Sequence, residues 1–364
     1  MCQGRTDLKN VNQLLTLPGC GVFTVHAGAE KKEKLLKAYY GTASFEKAKI
    51  KWEKSLVELD SSKPLLLGIP SDSGGGIQRG ANWGPLAIRQ EILSERKSFN
   101  DLGDVRVIPH LLHDKYLNEA TIKLCRKALY GKVNKLPVAP LSIAELALME
   151  IYKKLPDAKI LGFGGDHSTS YPLVKAWLAS RKQKKKAALL HFDAHTDLLE
   201  RRMGIDICFG TWTYQILKEL STSDHIVQIG IRSSGKDKKY WKNHLGVEQY
   251  WAKEVKKWGA KKVHQKLKAH YKKLGVEEIY ISFDIDALDA KYASATGTPE
   301  SEGLLPTDCA AIIMLLSKDF KITGADLMEV APYVSPEGTS ETNRMSSLVV
   351  AGDMAKTLLK SFSR

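Results

Sequence analysis

The sequence predicts an α/β fold: a single three-layer αβα domain with a central, mostly parallel sheet. Three observations carry that expectation. From about residue 64 onward, short apolar runs alternate with longer amphipathic stretches. The runs are apolar on both faces, as strands covered by helices on either side must be. The residues just past three of the runs are clusters of Asp and His, which is where open parallel sheets carry their ligands.

The apolar runs cover 64–69, 159–163, 187–192, 225–231, 278–283 and 321–328, and each is bounded by Gly, Pro or charge. Between them, helical spacing marks 142–155, 172–180, 211–220, 254–274, 307–317 and 341–361. Ser142 followed by Glu145 reads as a capping box opening the first of these. Residues 1–60 are Lys-rich and carry only isolated apolar patches, at 14–17 and 22–25. They read as an N-terminal extension to one α/β domain over 61–364. No internal repeat or low-complexity tract interrupts the alternation.

Composition narrows the function classes. Of 364 residues, 43% are apolar, and 55 Lys plus Arg against 41 Asp plus Glu leave a formal charge of +14. The content is that of a globular protein with a sizeable core. The lysines lie in short scattered runs such as 182–186 and 261–262, without the interleaved aromatics that stack bases. They read as solvated faces, so no nucleic-acid partner is expected. No apolar run approaches the ~18 residues of a membrane span. The start, Met1-Cys2-Gln3-Gly4, lacks the charged-then-apolar pattern of a secretory leader. Five cysteines (Cys2, Cys20, Cys125, Cys208, Cys309) are odd in number and contain no Cys-x-x-Cys pair. A reducing cytoplasm is the expected location.

The chemistry lies past the runs. Gly164-Gly165-Asp166-His167-Ser168 follows the second, Asp193-Ala194-His195-Thr196-Asp197 the third, and Asp284-Ile285-Asp286 the fifth. Spacing of i, i+2, i+4 in extended chain puts Asp193, His195 and Asp197 on one side. Carboxylates gathered so closely cannot all stay ionised without compensating cations. Oxygen and imidazole donors without thiolate suit Mn²⁺ or another divalent ion. The donor count is enough for two metals sharing bridging carboxylates, and such pairs sit ~3.5–4 Å apart and activate a water.

These motifs resemble the three metal signatures of the arginase/agmatinase (ureohydrolase) family. The likeness extends through 68–70 and 80–85 with Ile88-Arg89, then 102–105, 296–300 and 326–332. The resemblance implies an arginase-like fold and a metal-dependent hydrolase of a linear guanidino or amidino compound, agmatinase-like, releasing urea and an amine. It implies two Mn²⁺ per chain held by His167, Asp193, His195, Asp197, Asp284 and Asp286. It implies catalytic roles for Asp197, which passes a proton to the leaving amine, and Glu329, which holds the guanidinium. A carboxylate matches that planar donor fork bidentately. A homo-oligomer, trimer or hexamer, is also implied, with a small guanidino or formimino compound as the substrate.

The loop after Asp197 departs from the family pattern. Phe209 stands before Gly210-Thr211 where many members have His, so proton shuttling at that place is lost. Formimidoylglutamase-type members share the lack of His and the Tyr214-Gln215-Ile216 that follows. A formimidoylglutamase-like or guanidino-acid hydrolase is therefore an alternative expectation, and a catalytically weakened binding or regulatory protein is one of another class. Arg201 and Arg202 read as solvated rim charges or as a clamp for a substrate carboxylate. Arg201, Phe209, Thr298 and Glu329 are the expected substrate contacts. Residues 230–236 match the first seven positions of a phosphate-binding loop, but Asp237 stands where Ser or Thr is needed, so a surface loop is expected. Gly74-Gly75-Gly76 reads as a loop at the site rim. Cys208 has no base spaced to activate it and reads as a packed thiol. His26, His110, His113, His191, His225, His244, His264 and His270 lack motif context and read as structural or exposed.

Overall fold

A computed structural model describes residue 8 and residues 11–22, 28–73, 78–131, 134–334 and 341–362. Cys2, His26, the patch at 23–25 and the Gly74-Gly75-Gly76 loop lie outside these residues. In chain order the elements are β1 Leu15–Thr16, α1 Ala29–Tyr40, α2 Phe45–Val57, β2 Leu65–Ile69, α3 Gly84–Glu91, β3 Asn100–Val105, α4 Glu119–Tyr130 and α5 Pro140–Lys154. They continue with β4 Ile160–Gly164, α6 Ser170–Ser180, β5 Ala187–Phe192, α7 Trp212–Leu217, β6 Ile226–Ile229, α8 Lys238–Leu245 and β7 Glu248–Tyr250. The last are α9 Ala252–Lys273, β8 Glu278–Asp284, α10 Pro306–Leu316, β9 Lys321–Met328 and α11 Glu341–Ser361.

The strands form one sheet in the order β1-β3-β2-β4-β9-β8-β5-β6-β7. Every pairing is parallel except β1 on β3. The three layers follow from alternation along the strands. Ala187 and Leu189 of β5 enter a core with α2, α5, α6 and α7, whereas Ala188, Leu190 and Phe192 enter a second core with α3, α9, α10 and α11. Both faces are therefore apolar and dry, which is why the strands read as continuous apolar runs. A side chain such as Leu189 or Leu190, with no exposure left, contributes about 1.5–3 kcal/mol by burial.

The segment before residue 60 joins this sheet. Leu15 and Thr16 pair antiparallel with Val105 and Asp104. Trp52 of α2 is buried and donates its indole N–H to the Leu102 carbonyl at 3.2 Å. Gly103 has φ 89°, and a Cβ there would overlap the Thr16 carbonyl. Next to it, the fully buried Arg89 of α3 spans Asp101 (2.8 Å) and Asp104 (2.6 Å) of β3. Its guanidinium compensates both acids and ties helix to strand, so this motif position is structural.

Several boundaries differ from expectation. Helix α5 begins at Pro140 with Ala139 as its cap residue. Ser142 is inside the first turn, where its hydroxyl accepts the Asp114 N–H at 3.0 Å, and Glu145 pairs with Lys175 at 2.9 Å. Proline at the first helical position is the start signal here, not a capping box. Helix α9 bends at Gly259, which leaves helical geometry (φ 69°, ψ 164°). Strands β1 and β7, of two and three residues, are too short to show a period. No helix among the described residues is long and apolar enough to cross a membrane.

Candidate active site

The carboxyl ends of β4, β5, β8 and β9 meet at the centre of the sheet. They deliver His167, Asp193, Asp284 and Glu329 to the floor of one cavity of about 690 Å³, and the loops that follow add His195, Asp197 and Asp286. The turn after β4 depends on glycine: a Cβ on Gly165 would overlap the Ser71 carbonyl. Past the last strand residues, the acids do not reach the site from extended chain. Strand β5 stops at Phe192, and the Asp193 carboxylate accepts the His195 N–H at 2.6 Å. Asp284 likewise accepts the N–H of Asp286, which lies in a single 3₁₀ turn. Asp197 adopts a left-handed conformation, φ 51°. Tight side-chain turns, not strand alternation, bring these ligands together.

His167 Nδ1 lies 2.9 Å from Asp284 Oδ2, 3.1 Å from Asp193 Oδ2 and 3.4 Å from Asp197 Oδ2. On the other side of Asp193, His195 Nδ1 is 3.5 Å from Asp193 Oδ1 and 3.1 Å from Asp286 Oδ2. Asp193 thus belongs to two ligand groups, as a carboxylate bridging two ions would. All six expected metal ligands are in place around this acid.

The protonation of His167 follows from its neighbours. Ser282 donates its hydroxyl hydrogen to Asp326 Oδ1 at 2.8 Å, so its oxygen accepts from His167 Nε2, 3.0 Å away. Nδ1 therefore presents a lone pair. It is buried, lacks a hydrogen-bond partner and faces three carboxylates. Lone pair against carboxylate repels unless a cation sits between them. A proton can serve: despite burial, Asp193 and Asp284 hold the His167 pKa well above its usual range. A divalent ion satisfies all four groups at once. Burial, then the charge of Asp193, pushes Asp197 up to about 8, and burial with the Asp286 charge raises Asp284 strongly. The donor set therefore fits divalent metal, whose charge replaces these protons.

His191 was expected to be structural, yet it is in the site. Its Nε2 is 2.8 Å from Asp193 Oδ2. Its tautomer can be traced from Trp251, whose indole can only donate. Trp251 donates to Gln249 Oε1 (2.9 Å), Gln249 Nε2 donates to Gln228 Oε1 (2.8 Å), and Gln228 Nε2 reaches His191 Nδ1 (3.0 Å). Nδ1 is the acceptor, so Nε2 carries hydrogen and donates to Asp193. Burial lowers the His191 pKa, in keeping with a neutral ring. His191 therefore orients a ligand and does not itself ligate. The i, i+2 step that links Asp193 to His195 leads back from Asp193 to His191, and that was the available signal. Trp212 was missed too. Its indole donates to Asp197 Oδ2 at 2.9 Å, and its ring lies 4.7 Å from that of His167.

The expected substrate contacts are divided. Glu329 lines the cavity, buried in a left-handed conformation (φ 61°), and Oε1 accepts the His167 N–H at 2.8 Å. Burial, then the charges of Asp284 and Asp166, raise its pKa well above the usual range. Phe209 lines the cavity; Thr298 does too, but its hydroxyl donates to Asp286 Oδ2 at 3.1 Å and so orients a ligand. Arg201 is exposed and away from the cavity, and Arg202 lines it instead. The loop at 233–236 also forms cavity wall, while Arg232 beneath it binds backbone carbonyls, including those of Asp286 and Glu300. Cys208 is a packed thiol whose pKa is raised by burial.

A parallel α/β sheet with imidazoles and carboxylates converging past its central strands fits a binuclear metal site. The chain belongs to the arginase family, whose profile matches residues 62–353. It is 31% identical over 292 residues to a mitochondrial guanidino acid hydrolase of Homo sapiens, covering 75% of this chain and 73% of that one. It is 32% identical over 298 residues to a mitochondrial agmatinase of Gallus gallus, covering 75% of each. Among solved structures, proclavaminate amidino hydrolase from Streptomyces clavuligerus superposes with a TM-score of 0.65 at 24% identity, covering 83% of this chain and 92% of that one.

Proposed function

We propose that this chain hydrolyses a carbon–nitrogen bond of a small linear guanidino compound, releasing urea and an amine, with two Mn²⁺ as cofactor. The observation that carries the reading is the buried, unpartnered Nδ1 of His167 facing Asp193, Asp197 and Asp284. His167, Asp193, Asp197 and Asp284 would hold one ion, and Asp193, His195 and Asp286 the other. Hard oxygen and nitrogen donors support manganese over a thiophilic metal. Such a pair would supply a water activated for attack at neutral pH.

The remaining steps belong to the chain's own residues. Glu329 receives the guanidinium in two parallel hydrogen bonds and fixes its carbon over the ligands. Asp197 lines the cavity beside Asp193 and is placed to pass a proton to the leaving nitrogen. Trp212 holds Asp197 Oδ2 in place during that transfer. Phe209 neither gives nor takes a proton and covers the cavity wall with an apolar ring. The four described cysteines are unpaired, which supports a reducing compartment.

The test is urea, ammonia and formamide release from agmatine, arginine, 4-guanidinobutyrate, guanidine and formimidoylglutamate with Mn²⁺ present. Urea from at least one guanidino compound is expected. Formamide from formimidoylglutamate alone would make the chain a formimino hydrolase. No turnover of any compound by fully metal-loaded protein would leave only a binding role.

A further inference from the structure

The cavity has a negative floor and a positive mouth. Carboxylates crowd the floor, whereas the mouth carries two cations, Arg202 and Lys236, from separate loops. Arg202 opens a two-residue turn: its N–H donates to the Ile205 carbonyl at 2.8 Å, and the Ile205 N–H donates back at 2.9 Å. Met203 and Gly204 between them have φ of 50° and 84°, the signs a type I′ turn requires. A methionine in that region is strained, and Met203 itself is 97% exposed. The Arg202 guanidinium stands 4.5 Å over the Phe209 ring, and Lys236 Nζ stands 5.3 Å over the ring of Tyr240, also at the cavity. Aromatic faces orient a cation but do not neutralise it. No carboxylate of the described residues pairs with either side chain.

We propose that Arg202 and Lys236 form a subsite for an anionic distal group, so that the substrates of this chain are guanidino carboxylates. The inference rests on the reading above that the guanidinium lies on the floor against Glu329. A molecule positive at one end and negative at the other then matches both parts of the cavity. The Arg202 fork takes a carboxylate bidentately, and Lys236 adds a point charge. An ammonium tail, as in agmatine, would meet two cations that no carboxylate of the described residues pairs. A neutral alkyl tail gains nothing from them. Arg201, one residue earlier, faces solvent and takes no part.

The test is calorimetric binding to Mn²⁺-loaded protein, with urea release measured in parallel. Guanidinoacetate, 3-guanidinopropionate and 4-guanidinobutyrate are each compared with the alkylguanidine of equal length, and with agmatine. At least one acid is expected to bind about tenfold or more tightly than its neutral counterpart, with agmatine weaker than either. Arg202→Gln and Lys236→Gln should each lower that ratio, the double variant should bring it to about 1, and Arg201→Gln should preserve it. Equal binding of acid and neutral compounds at every length, or a ratio that survives the double variant, overturns the subsite. Acid-selective binding without urea release retires the hydrolase reading and keeps the subsite. Urea release without acid selectivity does the reverse.

Discussion

The floor and the mouth of the cavity are built by different physics. On the floor, ligands sit at the ends of buried parallel strands, and their hydrogen bonds lead into the core, from His191 through Gln228 and Gln249 to Trp251. At the mouth, Arg202 and Lys236 are exposed, stand on turns and rest on single aromatic rings. A rigid floor suits chemistry, where a small displacement is costly. An adaptable mouth suits the choice of substrate, where loops vary and strands do not.

The contrast is sharpest when a ligand is lost. Asp284→Asn removes charge from the group around His167, so bound metal should fall below two ions per chain and turnover by more than ~100-fold. Elemental analysis and urea release check both, and two retained ions with wild-type turnover would remove Asp284 from the centre. His191→Leu deletes the N–H that orients Asp193 but no ligand. Metal affinity should fall by about 10- to 100-fold, read by competition with a chelator, and unchanged affinity would return His191 to a packing role. Glu329→Gln keeps an oxygen for the His167 N–H but loses the charge facing the guanidinium. Metal content should hold while kcat/KM falls by at least about 10-fold. The smallest effect belongs to the mouth: Met203→Gly relieves the left-handed backbone and should raise stability by up to about 1 kcal/mol, seen as a small rise in Tm. A large loss of stability there would make the turn part of the rigid frame.

The same division governs what could be read from the sequence. That these six residues belong together was legible because three strand ends each carry more than one Asp or His, a density that solvated loops seldom reach, and the fold gathers all six at one cavity. The route by which they converge was not, since Asp193 to Asp197 is a chain of side-chain turns and a left-handed residue rather than a strand. His191 was passed over because it lies inside the apolar run, where a histidine resembles a core residue. Its tautomer depends on Gln228, Gln249 and Trp251, which meet it only in the folded sheet. At the mouth, Arg201 and Arg202 read alike as rim charges or a clamp, and only the fold separates them, with Arg202 on the cavity lining and Arg201 off it. Similarly, Lys236 reaches the cavity from a loop about forty residues after Asp197, a proximity set by the parallel pairing of β5 and β6.

On the proposed reading, hydrolysis depends on metal held by the floor. This dependence is tested most directly by measuring urea release from the best guanidino compound before chelation, after exhaustive chelation with metal content verified, and after Mn²⁺ is restored. Urea release should fall to about 1% or less on chelation, from the several kcal/mol a metal contributes, and recover with two Mn²⁺ per chain. An undiminished rate in protein shown to be free of metal would contradict that dependence.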